Sequence, residues 1–298
     1  MSDRDGIDGS AIRTDPDQTA AQENQTWHFI TSEYPPQPGG VSDYSRGVAE
    51  GLVAHGHSVH VWCPPYEGGD ALVDSEVTIH RTLGTMGPLD LWRTGRSLNE
   101  FAGSRLLFVQ WVPQGFGFNS INIGFCIWLW MRARRYGDRI ELMVHEAFLP
   151  FEGTYRQRAA SIAHRVMIVV LLAAAKRVWV PGWKPLLRPY AQRRLEVRWL
   201  PVPSNIPIVE DSEGVAALKK RLIPGAGPVV GHFGTLNAGT RLGLRELIPS
   251  ILAKSPATSV LLIGRNGEAF LSELLRDDSE LEGRVFATGA VSPEEVSL

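Results

Sequence analysis

Five short stretches of this 298-residue chain carry the residue types from which a small-molecule site can be built. The first is Glu33-Tyr34-Pro35-Pro36-Gln37-Pro38-Gly39-Gly40-Val41. Glycine tolerates positive φ and lets backbone approach a ligand closely, and a helix opening just after it presents free N–H groups and a positive dipole end to an anion. A loop that uses Pro and Gly only to turn is the plain alternative. The second stretch is His145-Glu146. An imidazole there can hydrogen-bond a hydroxyl or stabilise developing charge, and can equally be a structural histidine held by neighbouring backbone. The third, Gln110-Trp111-Val112-Pro113-Gln114-Gly115-Phe116-Gly117, sets amides beside aromatics in a way that suits a sugar or nucleoside, although packing alone accounts for Trp111. The fourth, Gly231-His232-Phe233-Gly234-Thr235-Leu236-Asn237 with Arg241 after it, is a glycine turn followed by a guanidinium, suited to a diphosphate. The fifth is Gly264-Arg265-Asn266-Gly267.

Each stretch follows a segment that reads as a strand. The apolar and β-branched runs predict strands over residues 27–32, 58–63, 106–112, 140–144, 177–180 and 197–202, and a second series over 229–233, 259–263 and 284–287. Helical patterns fall between them: 41–55 with Ser42 or Asp43 available as N-cap, one reaching about residue 136, then 156–176, 183–192, 242–254 and 267–276. Strand–helix alternation implies a mostly parallel sheet with helices on both faces, and in such sheets ligands bind outside the carboxyl ends of the strands. The expected organisation is a disordered tail over 1–25, a first α/β domain over 26–205, a linker over 206–225 and a second α/β domain over 226–298. The Pro-, Ser- and acid-rich run 201–211 marks the linker. The second series has only three strands, and Ser292-Pro293-Glu294-Glu295 reads as a helix start just before the last residue. That pattern leads to the expectation of a second domain that is incomplete, the chain being truncated within it.

Composition narrows the function classes. Apolar residues are 44% and charged residues 21%, as in an ordinary packed protein, and the formal net charge of -2 gives no basic field to attract nucleic acid. Cys63 and Cys126 match no zinc or redox spacing, so a cytoplasmic setting is expected. The apolar runs 121–131 and 166–175 fall short of the ~20 residues of a membrane span and read as buried helices. The first has a second reading as a helix lying on a membrane, with Trp128 and Trp130 at the interface and Arg132, Arg134 and Arg135 facing anionic lipid. No G-x-x-x-x-G-K-[ST], no G-x-G-x-x-G after the first strand and no Tyr-x-x-x-Lys is present, which weighs against P-loop and nicotinamide chemistry. His145-Glu146 does not continue into H-E-x-x-H, and D-x-D occurs only in the tail, so no metal ligands are assigned.

Pro35-Pro36-Gln37-Pro38-Gly39-Gly40-Val41, then Leu52 and Gly56-His57-Ser58-Val59-His60-Val61, resemble the N-terminal domain of family 4 glycosyltransferases. Phe108–Pro113, His145–Phe151, Pro201–Ile206 and Phe233–Leu236 are similar to bacterial members, and together the resemblance runs over residues 27–298. It implies a GT-B type α/β fold of two Rossmann-like doubly wound domains and transfer of a sugar from a nucleotide-sugar donor to an acceptor hydroxyl, with retention and without metal or cofactor. It further implies that Gly39 and Gly40 approach the donor phosphate and acceptor, that His145 is the catalytic contact to the donor sugar, and that Gln110, Glu146, Gly234, Thr235, Arg241 and Arg265 bind donor or acceptor. The family's lysine after the second glycine turn is missing from Asn237–Gly243, with Arg241 as the available substitute, and its E-x7-E pair is not found before Leu298. Lipid-linked, glycan and small-molecule acceptors all remain open, as does peripheral contact with the inner face of a membrane. A non-catalytic nucleotide-sugar-binding module and a nicotinamide-dependent Rossmann enzyme are the alternatives.

Overall fold

The structure is a computed structural model that describes residues 25–67, 76–103, 105–117, 120–182, 187, 189–190, 195–225 and 227–298. Contacts divide the chain into two compact units, Met1–Pro203 and Ser204–Leu298. The expected tail, apart from Gln25, and most of the expected helix 183–192 lie outside the described residues.

The first unit is a seven-stranded sheet: β1 (Thr26–Thr31), β2 (Ser58–Trp62), β3 (Thr78–His80), β4 (Leu106–Trp111), β5 (Arg139–Val144), β6 (Ala175–Val180) and β7 (Glu196–Trp199). Its spatial order is β3-β2-β1-β4-β5-β6-β7 and every neighbouring pair is parallel. Four helices connect the strands, α1 (Gly40–Ala54), α2 (Pro88–Leu98), α3 (Ile123–Arg135) and α4 (Tyr155–Ala174). Alternation along the strands sends successive side chains to opposite faces. Phe29, Phe108 and Met143 join Tyr44 and Ala49 of α1 on one face. Ile30, Val109 and Leu142 join Leu129 of α3 and Ile168 of α4 on the other. Both faces of β4 are covered, which is why its whole length is buried and reads as an unbroken apolar run.

The second unit holds β8 (Val229–Phe233), β9 (Ser259–Ile263) and β10 (Val285–Gly289) in a parallel sheet of order β10-β9-β8, with α5 (Ser212–Leu222), α6 (Ala238–Lys254), α7 (Gly267–Asp277) and α8 (Pro293–Ser297). Leu244, Ile248 and Leu252 of α6 pack with Phe270 and Leu274 of α7 over Val260 and Leu262. Ser292 caps α8 by accepting from the Glu295 N–H, and Val209 N–H donates to Ser297 Oγ.

Several expectations are corrected. Strand β3 and helix α2 were not foreseen. β3 has only three residues, and α2 buries Thr94 and Gly95 beside Leu91 and Leu98, which gives it little apolar periodicity. The linker 206–225 contains α5, capped by the Asp211 side chain. Helix α6 begins at Ala238 rather than 242 because Asn237 caps it, accepting from Thr240 N–H. Helix α4 starts at Tyr155 with a Thr154/Gln157 capping box, which makes it 20 residues long and apolar enough, by length and composition, to cross a membrane. Its Met167, Ile168, Leu171 and Leu172 are instead core residues of the sheet's helical face. On α3, Trp128 and Arg132 are buried, at 9% and 2% exposure, so they do not form the interfacial face expected of a helix lying on lipid.

Candidate functional site

From β1 the chain proceeds outward to β2 and β3, and from β4 it proceeds outward the other way. The loops leaving β1 and β4 therefore part at a switch point, where open α/β sheets bind ligands. Three of the five sequence stretches meet at this edge of the first unit.

The loop after β1 turns back through Glu33. Its carboxylate Oε1 accepts hydrogen bonds from Val41 N–H (3.0 Å) and Ser42 N–H (2.9 Å), so an internal carboxylate occupies the free N–H groups of α1. The N-cap residue is Gly39, not Ser42 or Asp43, and it makes no side-chain cap bond. Gly39 sits at φ 176°, an extended conformation open to any residue, so positive φ is not the reason for glycine here. The reason is room: a Cβ on Gly39 would overlap the Glu33 carboxylate. A Cβ on Gly40 would meet open space.

His145, at the carboxyl end of β5, is tied down on three sides. Its backbone N–H donates to the Trp111 carbonyl (3.0 Å), its ring Nε2 lies 2.9 Å from Gln110 Oε1, and its ring meets Tyr44 edge-to-face at 4.9 Å. With Gln110 Oε1 as acceptor the proton sits on Nε2 and Nδ1 keeps its lone pair. Burial lowers the imidazole pKa to about 4 and pushes the Tyr44 phenol up to about 12, so both rings are neutral at physiological pH. Gln110 is fully buried and reaches the site through His145. Its Nε2, like Tyr34 Oη, Ser42 Oγ and Ser45 Oγ, is buried without a hydrogen-bond partner. Exposed Glu146 accepts from Gln114 Nε2, joining the loops after β4 and β5. Gly115 packs so closely on Ser32 that a Cβ would overlap its hydroxyl, joining the loops after β4 and β1. Trp111 and Phe116, which suited a sugar by type, stack on each other at 5.1 Å with no exposure and serve the core.

In the second unit, the turns after β8 and β9 interlock. Gly234 N–H donates to the Ile263 carbonyl (3.0 Å) and Leu236 N–H to the Arg265 carbonyl (3.1 Å). Gly264 is at φ 124°, and a Cβ there would overlap the Gly234 carbonyl oxygen, so only glycine fits. Thr235 and Arg265 are exposed beside the N-terminus of α6. A pocket of about 480 Å³ opens there, bounded by Asn237, Arg241, Arg245, Asn266 and Glu273. Arg241 donates through Nε to the Leu236 carbonyl (2.9 Å) and pairs through Nη1 with Glu273 (2.6 Å). Arg245 pairs with the same carboxylate at 3.0 Å. Arg245 and Glu273 join the sequence-expected Arg241 in this pocket. The i,i+4 spacing of Arg241 and Arg245 was a readable signal for a shared face. No sequence signal places Glu273, 32 residues beyond Arg241, opposite them. Among the described residues no three His, Cys, Asp or Glu side chains converge as a metal site.

A doubly wound parallel sheet in the first unit and a second parallel sheet of three strands, both with glycine-bearing turns at their strand ends, match a GT-B type α/β fold. Solved structures share it. HepE from Anabaena in complex with UDP superimposes with a TM-score of 0.64 at 15% identity, over 91% of this chain and 71% of HepE. A glycosyltransferase from Rickettsia africae gives a TM-score of 0.60 at 12% identity, over 92% and 70% of the two chains. The lipopolysaccharide outer core galactosyltransferase WaaB gives 0.57 at 14%, over 90% and 69%. By sequence, no family model and no curated protein matches the chain.

Proposed function

We propose that this chain is a glycosyltransferase that moves a sugar from a nucleoside-diphosphate-sugar to an acceptor hydroxyl. In that reaction the acceptor oxygen bonds the anomeric carbon as the bond from that carbon to the diphosphate oxygen breaks, and the acceptor proton leaves to a base. The observation that carries the proposal is His145, a neutral imidazole held by Gln110 and Tyr44 at the switch point of the first sheet. Its support is the fold shared with glycosyltransferases and with HepE, a structure of which holds UDP-glucose. On this reading His145 bonds the donor sugar, and the open face at Gly40 gives backbone access to donor phosphate and acceptor. The second unit, taken by itself, offers a diphosphate the α6 N-terminus with Thr235, Arg241 and Arg265, guanidinium and helix end offsetting its charge without a metal. Transfer with retention belongs to the same proposal.

The test is turnover with UDP-, GDP- and ADP-glucose, with donor affinity measured by calorimetry. His145→Ala lowers kcat by ~10²–10³, the cost of removing one preorganised transition-state hydrogen bond, with donor Kd little changed. Unchanged turnover in that variant removes the role given to His145. Donor binding by the wild type without transfer to any acceptor assigns a binding module instead.

A further inference from the structure

Between α2 and α3 lies a groove of about 1060 Å³, at the upper end of the ~300–1,000 Å³ usual for small-molecule sites. The two helices face each other across it with matched spacing. Leu91, Trp92 and Gly95 look across from α2, and Gly124, Trp128 and Met131 from α3. Leu91 and Trp128 are nearly buried on its floor, while Trp92 (57%) and Met131 (44%) stand exposed as walls. Gly95 and Gly124 keep it open. One end is formed by Gly115 and Gly117 of the loop after β4, and Gly115 rests on Ser32 at the end of β1, beside the proposed transfer site. The other end, 13 residues or ~20 Å along α3, is basic.

Three guanidiniums gather at that basic end. Arg96 and Arg135 are exposed, and neither pairs with a carboxylate among the described residues. Arg132 is 2% exposed and lines the groove; its Nε is bonded to Asp138 (2.5 Å) and its Nη1 to Asn99 Oδ1 (2.7 Å), while its Nη2 has no acceptor. Asp138 pairs with both Arg132 and Arg105, which leaves Arg96 and Arg135 as the cations of the cluster without a carboxylate partner among the described residues. Glu100 follows Asn99 but does not line the groove. An apolar trough with unneutralised cations at one end and the transfer site at the other is complementary to a long molecule with an apolar body and an anionic end. Its apolar surface is recessed between helices, which admits a single chain rather than the plane of a bilayer.

We propose that the glycosyl acceptor is such an amphiphile, its chain lying between α2 and α3 with its anionic group on Arg96, Arg132 and Arg135 and its hydroxyl end at the loop after β4. This rests on the transferase reading for the word acceptor, but the binding stands on the groove alone. The probe is dodecyl phosphate below its micelle concentration, followed by the fluorescence of Trp92 and Trp128, with dodecanol and inorganic phosphate titrated separately. The expected result is saturable one-to-one binding, tighter than for either half molecule, and weakened by about tenfold or more in Arg96→Gln/Arg135→Gln as charge-assisted bonds are lost. Trp92→Ala, a surface change that leaves the fold intact, weakens the apolar half in the same titration. UDP-glucose binding to the same variants is unchanged. No saturation, or equal affinity in wild type and variants, overturns the proposal. So does capture by anionic phospholipid vesicles without binding of monomeric dodecyl phosphate, which assigns the face to a membrane. If dodecyl phosphate binds as described but UDP-glucose does not bind at all, the transferase reading fails and the groove assignment survives.

Discussion

Glu33 gives the sharpest test of how the first unit is built. Its carboxylate takes two N–H bonds, at 3.0 and 2.9 Å, from the first turn of α1. Losing a side-chain cap costs ~0.5–2 kcal/mol, and losing a negative charge at a helix N-terminus costs a further ~0.3–1 kcal/mol. Glu33 is half-buried, which keeps both contributions near the middle of their ranges. Glu33→Ala is therefore expected to cost ~1.5–2.5 kcal/mol, and Glu33→Gln, which keeps an acceptor and loses the charge, ~0.3–1 kcal/mol.

All nine tryptophans precede residue 204, so tryptophan fluorescence follows the unfolding of the first unit alone. With a urea m-value near ~3 kcal/mol/M for a unit of this size, Glu33→Ala shifts the midpoint down by ~0.5–0.8 M. The same experiment carries a second readout. Vacating the helix N-terminus frees two N–H groups for an external anion, so inorganic phosphate raises the midpoint of Glu33→Ala more than that of the wild type. Gly39→Ala, which pushes the carboxylate off its seat, reproduces the loss, and combining it with Glu33→Ala adds little because both remove one interaction. A midpoint for Glu33→Ala within error of wild type, or full additivity with Gly39→Ala, refutes the reasoning.

Asp138 bridges Arg105 and Arg132 with almost no exposure, so Asp138→Ala strands a buried guanidinium and costs ~3–5 kcal/mol in the same urea assay, whereas an exposed pair such as Arg46–Glu50 is worth ~0.2–1 kcal/mol. Acid is expected to destabilise the first unit. Burial lowers His28 to about 3, with His60, His80, Arg105 and Arg132 acting in the same direction, and lowers His145 to about 4. Both values lie below the ~6.5 of an unfolded histidine, so the unfolded chain binds more protons between them. Stability is complete above pH ~6.5 and falls as pH drops toward the folded values, by up to ~1.4 kcal/mol per unit for each histidine. His28→Leu flattens that slope in urea midpoints measured from pH 7 to 4, and an unaltered slope counts against the assignment. In the second unit Gly264→Ala costs more than ~1 kcal/mol, because the residue is at φ 124° against the Gly234 carbonyl, a loss read from the thermal unfolding of that unit by circular dichroism.

What the sequence revealed follows from periodicity, and what it hid follows from contacts between distant residues. β8 and β9 are legible to the residue, since each is a short apolar run bounded by Gly or Pro and by a turn. β3 is three residues at the sheet edge, too short for any period to show. In α2 the buried face is Leu91, Thr94, Gly95 and Leu98, half of it residues with no hydrophobic signal. That these loops share one edge was legible for a topological reason, since every loop leaving a parallel strand emerges at the same side of the sheet. The partners within it were not. Gln110 and His145 are 35 residues apart, and only the register of β4 on β5 brings them together.

The glycine pair shows the limit most clearly. Gly39 and Gly40 are indistinguishable by residue type and both fit the idea of backbone bared to a ligand. Gly39 is small because Glu33 fills the space beside it, whereas a Cβ on Gly40 would meet no atom of the described residues within 4 Å. A glycine-rich turn before a helix therefore signals something close to the backbone without saying whether that neighbour is a substrate or the protein's own carboxylate. Here it is both a filled place and an open one, side by side. Any external anion at this turn reaches the α1 N–H groups only by competing with Glu33. Glu33 is thus a determinant of how strongly this wall of the site attracts an anion.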